Sequence, residues 1–416
     1  MGMEWKSCSI GDLGKIITGK TPRTAIEENY GGDIPFLSPS DNMSVKYLST
    51  TQKTITKLGL SEVKNCLIPK GSICVSCIGS DLGKVIVANK DLVTNQQINS
   101  IIVNQDNSSD FVYYVMLIAG KELNYLSKTS TAVPIINKST FSKFEIRIPK
   151  NKNDQQRIAD ILSSLDAKIE NNNKINAKLE EMAQALFKSW FIDFEPFKVG
   201  RDESRPAFGS GNFVESELGM IPEGWKVGIL ADLGDIVGGG TPSKSKPEYY
   251  TEKGIAWLTP KDLSISPNKF TSKGETDITE IGYKNSSAKL MPKGSVLFSS
   301  RAPIGYISIA KNDICTNQGF KSVVPNYAGT AYIYYLLKYL TPDIENKSTG
   351  STFKEASGSL MKSLTVIIPP KQYLDDFELK VSAIFDKQEI LEEENKNLSQ
   401  TRDTLLPKLM SGEIEL

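Results

Sequence analysis

Two stretches of the chain carry apolar residues at helical spacing. In the first, Ile158, Leu165, Asn172, Leu179 and Leu186 are spaced by seven, and Ile161, Ile169, Ile175 and Met182 fill the same stripe. In the second, Phe377, Ile384, Leu391, Leu398 and Leu405 repeat the spacing. A seven-residue apolar period with polar residues between predicts long helices packed along a seam. Asn172 at a seam position would fix the register. Roughly 33 residues at about 1.5 Å each give a helix about 50 Å long. The most economical pairing is between the two helices, antiparallel, about a pseudo-two-fold axis. Pairing of each with another protein stays open at this point. The run Trp190-Phe191-Ile192-Asp193-Phe194 closes the first helix with aromatic residues that suit either a core or an interface. Residues 198–212, rich in Gly, Ser and charge, read as a linker.

Outside the heptads the period shortens. Residues 72–88 and 295–310 read as strands with a Gly-containing break, and 93–103 and 314–324 as further strands. Residues 110–126 and 330–340 look helical. The elements come in matching pairs because the sequence repeats itself. Residues 5–22 read WKSCSIGDLGKIITGKTP and residues 225–242 read WKVGILADLGDIVGGGTP, 220 positions on. IPFLSPSD at 34–41 returns as IAWLTPKD at 255–262, Pro-Lys-Gly-Ser at 69–72 returns at 292–295, and Thr-Asn-Gln at 94–96 returns at 316–318. A period near half the chain is too long for a solenoid and means two copies of one domain-plus-helix unit. The expected class is mixed α/β (α+β): two similar globular domains, 1–150 and 221–369, with a long helix at 151–191, a linker at 192–220, and a helix and tail at 370–416.

Charge follows the same division. The chain is neutral overall, yet residues 1–150 carry net +4, 151–220 net −3, 221–369 net +4 and 370–416 net −5. Basic blocks between acidic helices are compatible with phosphate binding by the globular parts.

Catalytic chemistry is sparse. With no histidine, Ser-His-Asp triads, Cys-His dyads and HExxH zinc sites are excluded. Cys74-Val75-Ser76-Cys77 cannot make a four-ligand zinc site alone; it reads as buried strand thiols. Five scattered cysteines do not make a disulfide framework. Pro342-Asp343 with Glu345 and Lys347 has the wrong spacing for a nuclease, and Gly238-Gly239-Gly240-Thr241 is no phosphate loop. No apolar run is long enough to span a bilayer and residues 1–10 lack a signal-peptide core, so a cytoplasmic protein without membrane contact is expected.

The polar loop residues of the repeat are candidates for DNA contact. Lys20, Thr21 and Arg23 have Thr241, Ser243, Lys244 and Lys246 as counterparts. Ser38, Ser40, Asp41 and Asn42 correspond to Thr259, Lys261 and Asp262, and Asn95, Gln96 and Gln97 to Asn317 and Gln318. Ser299, Ser300 and Arg301 stand where the first copy has Ser76, Cys77 and Ile78. Arg suits guanine, Asn and Gln suit adenine, and Lys and hydroxyl groups suit phosphates. The case for them rests on recurrence at equivalent places. A helical scaffold or adaptor with protein-binding ends is the competing reading.

The Trp-x(6)-DLG-x(4)-GxTP opening of both copies, PKGS and TNQ in both, ALFKSWFIDFEPF at 185–197 and LLPKLMSGEIEL at 405–416 together resemble the specificity subunit of type I restriction–modification enzymes. The resemblance covers nearly the whole length. It implies a non-catalytic subunit with two target-recognition domains, each reading half of a split, asymmetric site on double-stranded DNA, with the helices setting the gap. It implies methyltransferase subunits docked on the helices, where Leu179, Leu186, Trp190, Phe191, Phe194, Leu398 and Leu405 are the candidate contacts, and restriction/translocase subunits joined through them. S-adenosylmethionine, ATP and magnesium would sit on those partners, with no cofactor or metal on this chain. The first copy departs from the Ser-Arg-Ala-Pro run of 300–303, having Cys77-Ile78-Gly79, which weakens the case for base contact there.

Overall fold

The heptad stretches fold as the helices α2 (Lys152–Phe191) and α4 (Lys371–Ser411). The matching inner helices of the two copies are α1 (Ser109–Ser127) and α3 (Thr330–Lys347). The computed structural model describes residues 3–48, 50–79, 81–128, 135–198, 211–350 and 354–416. Of the expected linker at 192–220, residues 199–210 lie outside them, and Phe213–Ser216 pairs antiparallel with Gly219–Pro222. The chain divides into two units: residues up to 171 with 395–416, and residues 172–394. The long helices are therefore not separate modules, since each gives one part to either unit.

In the first unit, Trp5–Ser9 pairs antiparallel with Glu145–Pro149, fastening the start of the domain to its end. An antiparallel sheet runs in the order Gly14–Thr18, Ile98–Val103, Ile73–Ser76, Val85–Val87. A second sheet runs Lys53–Ile55, Tyr30–Leu37, Leu92–Thr94, Leu67–Ile68, with Tyr30–Leu37 parallel to Leu92–Thr94. Ile73, Val75, Ile101, Phe111 and Tyr114 share a core with Ile158, Leu162, Leu406 and Leu409, so the helices complete the domain's interior.

The second unit repeats the plan. Lys226–Ile229 pairs with Thr365–Ile368. A five-stranded sheet runs Gly234–Gly238, Lys321–Pro325, Val296–Ser300, Ile304–Ala310, Phe270–Thr271. Its core joins Phe298, Val323, Tyr332 and Tyr335 to Phe187, Trp190, Phe377 and Val381 of the long helices.

Within each unit the α2 and α4 segments run antiparallel. In the second unit Phe187 meets Phe377, Gln388 Nε2 donates to Asn176 O at 3.3 Å, and Asn172 Nδ2 donates to Glu394 Oε2 at 2.9 Å. In the first, Arg402 meets Asp166 at 2.8 Å. The phase of the seam differs from expectation. Ile161, Ile175 and Met182 are 36%, 37% and 58% exposed. The inward positions are Leu162, Asn176 and Ala183, four residues after Ile158, Asn172 and Leu179 rather than three, while Ile169, already at that spacing from Leu165, is half-buried. Asn176 is polar and Ala183 small, so at those two turns hydrophobicity pointed to the apolar neighbours Ile175 and Met182.

The partner-contact candidates need a similar correction. Trp190 and Phe191 are buried in their own unit, with Phe191 5.1 Å from Phe377 and 4.8 Å from Tyr332 between ring centroids. Phe194 packs on Trp225 at 5.4 Å. Leu186 and Leu405 pack against their units' cores, and Leu179 and Leu398 are half-buried seam positions. The aromatic density closes the chain's own interior. Among the described residues no helix is long and apolar enough to cross a membrane.

Candidate nucleic-acid interface

The recurring motifs have a structural task. In Asp-Leu-Gly, Asp12 accepts the Ser9 N–H at 2.8 Å and Asp232 accepts that of Ile229 at 2.9 Å, while Leu13 and Leu233 are buried. In Pro-Lys-Gly-Ser, Ser72 N donates to Pro69 O and Ser295 N to Pro292 O, with φ of +86° and +87° at Gly71 and Gly294. That is the tight turn that asks for Gly at its third position. Asp41 accepts the N–H of Ser38 at 2.8 Å and of Gln52 at 2.7 Å; Asp262 does the same for Thr259 and Glu275 at 2.7 and 2.8 Å. Asp41, a DNA-contact candidate from sequence, is buried and serves as a turn cap, with Ser38 as its partner.

The Gly-x-Thr-Pro and Thr-Asn-Gln loops, some 75 residues apart, lie side by side in each unit. A Cβ on Gly19 would stand 2.2 Å from the carbonyl oxygens of Thr94 and Asn95, and one on Gly239 would stand 2.0 Å from that of Asn317. Only Gly allows that approach. Thr21 Oγ1 then donates to Gln96 Oε1 at 2.7 Å, and Thr241 Oγ1 to Gln318 Oε1. Tyr30 and Tyr250 hold the following turns through hydroxyl donation to Pro22 O at 2.8 Å and Pro242 O at 2.6 Å. Asn95 is buried and spends its amide on Gln97, and Asn317 Oδ1 accepts from Gly319 N–H at 2.8 Å. Gln96 and Gln318 remain exposed at the junction, beside exposed Lys20 and Lys244.

The other candidates separate by what holds them. Arg23 gives Nε and Nη2 to Glu62 at 2.8 and 2.5 Å, and that guanidinium holds the Glu62 carboxyl below its ordinary range. Lys261 pairs with Glu275 at 3.0 Å and Lys246 with the Tyr249 hydroxyl at 3.0 Å. Ser40 meets Ser38, Ser243 meets Ser245, and Asn42 Oδ1 caps the Ser44 N–H; all three lie in exposed loops. Ser299 and Ser300 are a correction. Both are fully buried: Ser299 Oγ donates to Pro303 O at 2.8 Å and Ser300 Oγ to Gly319 O at 3.1 Å. Strand alternation is interrupted there, and both hydroxyls satisfy backbone groups inside the fold.

Arg301 reaches the surface. Its Nη1 lies 3.5 Å from Glu355, which also takes Lys321 Nζ at 3.3 Å. Lys321 and Glu355 escaped sequence reasoning because neither recurs. Their signal was a difference between the copies, with Asn99 and Ile135 in the same places. Burial pushes the Cys74 thiol up to about 12 and Cys77 to about 11, so neither is a ready metal ligand. Among the described residues no His, Cys, Asp and Glu cluster could hold a metal ion.

Comparison with known proteins gives a consistent set of matches. The family described as type I restriction modification DNA specificity domain matches residues 3–181 and again 222–398. The chain is 31% identical over 432 residues to the type I restriction enzyme MjaIX specificity subunit of Methanocaldococcus jannaschii, covering 99% of this chain and 94% of that protein. It is 27% identical over 469 residues to the HindI specificity subunit of Haemophilus influenzae, covering 99% and 100%. The crystal structure of a type I restriction–modification S subunit from M. genitalium shares the fold, with a TM-score of 0.57 at 19% identity over 98% of this chain and 96% of that one.

Proposed function

Because the chain belongs to the family of type I restriction–modification specificity subunits, we propose that each globular unit reads one half of a split, asymmetric site on duplex DNA. The observation that carries this reading is one frame built twice with different exposed side chains. Thr21–Gln96 and Thr241–Gln318 make the same loop junction in both units, while the residues next to it differ. A shared frame brings two surfaces to the same kind of target, and differing residues let each choose its own bases.

The paired helices set the gap between half-sites. Half-sites one turn of B-DNA apart are about 34–36 Å from each other. Helices of 40 and 41 residues are about 60 Å long at about 1.5 Å per residue, enough to span it. Recognition is this chain's share of the work. Methyltransferase subunits, which would carry S-adenosylmethionine, dock along the helices, and restriction/translocase subunits, which would carry ATP and magnesium, join through them. The chain's exposed helix flanks, not its buried Trp190 and Phe191, would meet them.

Selection from a random duplex pool by the chain assembled with its methyltransferase partner tests the reading. A split motif with a fixed gap is expected. A single continuous motif would sink the two-reader model, and no enrichment would favour a protein scaffold.

A further inference from the structure

Backbone pairing puts the two units in residue-by-residue register where their chemistry diverges most. Thr18 faces Asn99 in the first unit and Gly238 faces Lys321 in the second. Cys77 N donates to Gln97 O at 2.8 Å, and Cys77 O accepts from Ile136 N at 2.8 Å. Ser300 N donates to Gly319 O at 2.8 Å, and Ser300 O accepts from Ala356 N at 2.9 Å. The next residues form matching antiparallel bridges, Ile78 with Ile135 and Arg301 with Glu355. The backbone is the same and the side chains are opposite in kind.

In the first unit the polar groups are consumed internally. Asn99 is buried; its Nδ2 donates to Cys77 Sγ at 3.2 Å and its Oδ1 accepts from Thr18 Oγ1 at 2.6 Å. What remains at the rim is the isoleucine pair, with Ile135 57% exposed. One exposed Ile is ordinary, but this pair stands where the other unit carries charge. There, one carboxylate serves two cations at 3.3 and 3.5 Å, and the side chains of Arg301 and Glu355 are 36% and 40% exposed. The group has a surplus positive charge, and the guanidinium keeps donors for a further partner. Lys321 Nζ also lies 3.4 Å from Gln318 O, so the group adjoins the loop junction.

We infer that these equivalent positions are a base-discriminating point: Arg301, backed by Lys321 and Glu355, takes a G·C pair in the second half-site, and Ile78 with Ile135 takes a thymine methyl in the first. The inference rests on the two-reader function proposed above. Its chemistry is that of groove edges. A guanidinium matches guanine O6 and N7, a carboxylate accepts from cytosine N4, and an apolar side chain packs on the thymine methyl. Asn99 and Lys321 act as positioning residues, the first filling the floor and the second holding Glu355.

The test exchanges the pairs in the full chain, assembled with its methyltransferase partner and selected from a random duplex pool. Arg301→Ile with Glu355→Ile should lower preference for G·C at one position of one half-site by about 5- to 140-fold, as expected for a lost bidentate pair. The other half-site should be unchanged, which also shows that the variant is folded. Ile78→Arg with Ile135→Glu should change one position in the other half-site and leave the first alone. An unaltered motif from both exchanges would overturn the inference while leaving the two-reader function standing. Uniform weakening over all sequences with a shallower salt dependence would overturn it too, by assigning Arg301 to phosphate. If the unmodified chain selects no split motif, the function fails and this inference with it.

Discussion

Gly238 and Gly239 are neighbours with different duties. A Cβ on Gly239 would meet Asn317 O at 2.0 Å, whereas one on Gly238 finds nothing nearer than Lys321 Cδ at 3.8 Å. Gly239→Ala should therefore cost about 1–3 kcal/mol through forced backbone shifts, and Gly238→Ala should be near neutral; urea midpoints of the two variants would show it, and equal midpoints would contradict the role given to the loop junction. The same contrast runs through the motif residues. Asp12, Asp41, Asp232 and Asp262 recur because they cap backbone N–H groups. Recurrence in two readers of different half-sites marks what both need, which is frame. Differences such as Asn99 against Lys321 mark what each does alone. Thiols give a second residue-scale expectation. Burial pushes Cys74 and Cys315 up to about 12 and Cys77 to about 11, so a thiol reagent should reach at most Cys8 and Cys66 in the native chain and all five after unfolding. Rapid native labelling of Cys74 would contradict the burial of its strand.

Each globular domain grips the long helices with the same device. Lys46 lies over Tyr113 and Tyr114 at 5.1 and 4.9 Å, and Lys269 over Tyr334 and Tyr335 at 4.7 and 5.0 Å. The tyrosine hydroxyls then donate to α2 carboxylates, Tyr114 to Asp166 and Tyr335 to Glu180, the latter at 2.9 Å. Burial alone would raise the Glu180 pKa, but Lys269 and Lys338, each 2.7 Å away, outweigh it and hold the carboxyl at about 2. A folded pKa below the ordinary 4.5 means stability that is complete above that pH and lost as pH falls through about 2. Glu180→Gln should lower the urea midpoint at pH 7, and the gap to the unmodified chain should narrow steadily between about pH 4.5 and 2. A gap that does not depend on pH would remove the ion pair from the account. None of this grip was visible in the heptads. Periodicity found the helices and the seam position Asn172, but it set Ile161, Ile175 and Met182 inward where Leu162, Asn176 and Ala183 line the seam. A polar centre between apolar ends is a pattern that a hydrophobic count inverts.

At the scale of the whole molecule, helix length should set the distance between the two halves of the DNA site. Removing seven residues from both α2 and α4 keeps the seam in phase, because the heptad is its repeat. The shortened chain should select the same half-site sequences with a smaller gap, and retention of the original gap would end the ruler role. Binding to duplex DNA should also weaken steeply between about 50 and 200 mM salt if Lys20 and Lys244 meet phosphates; a salt-independent affinity would move those lysines off the interface.

The duplication, the two long helices, the mixed sheet-and-helix domains and the membership that follows from their motifs are all legible in the string of residues. These are encoded locally, by period, turn chemistry and repeated short strings, and local patterns survive without coordinates. Which polar residues are spent depends instead on the folded chain. Ser299, Ser300, Asp41 and Asn95 looked available in the string and are buried among backbone partners, while Lys321 and Glu355 gained meaning only when strand register set them beside Arg301. Availability depends on neighbours brought from far along the chain. A sequence names the donors and acceptors, and the fold determines which of them remain open to DNA.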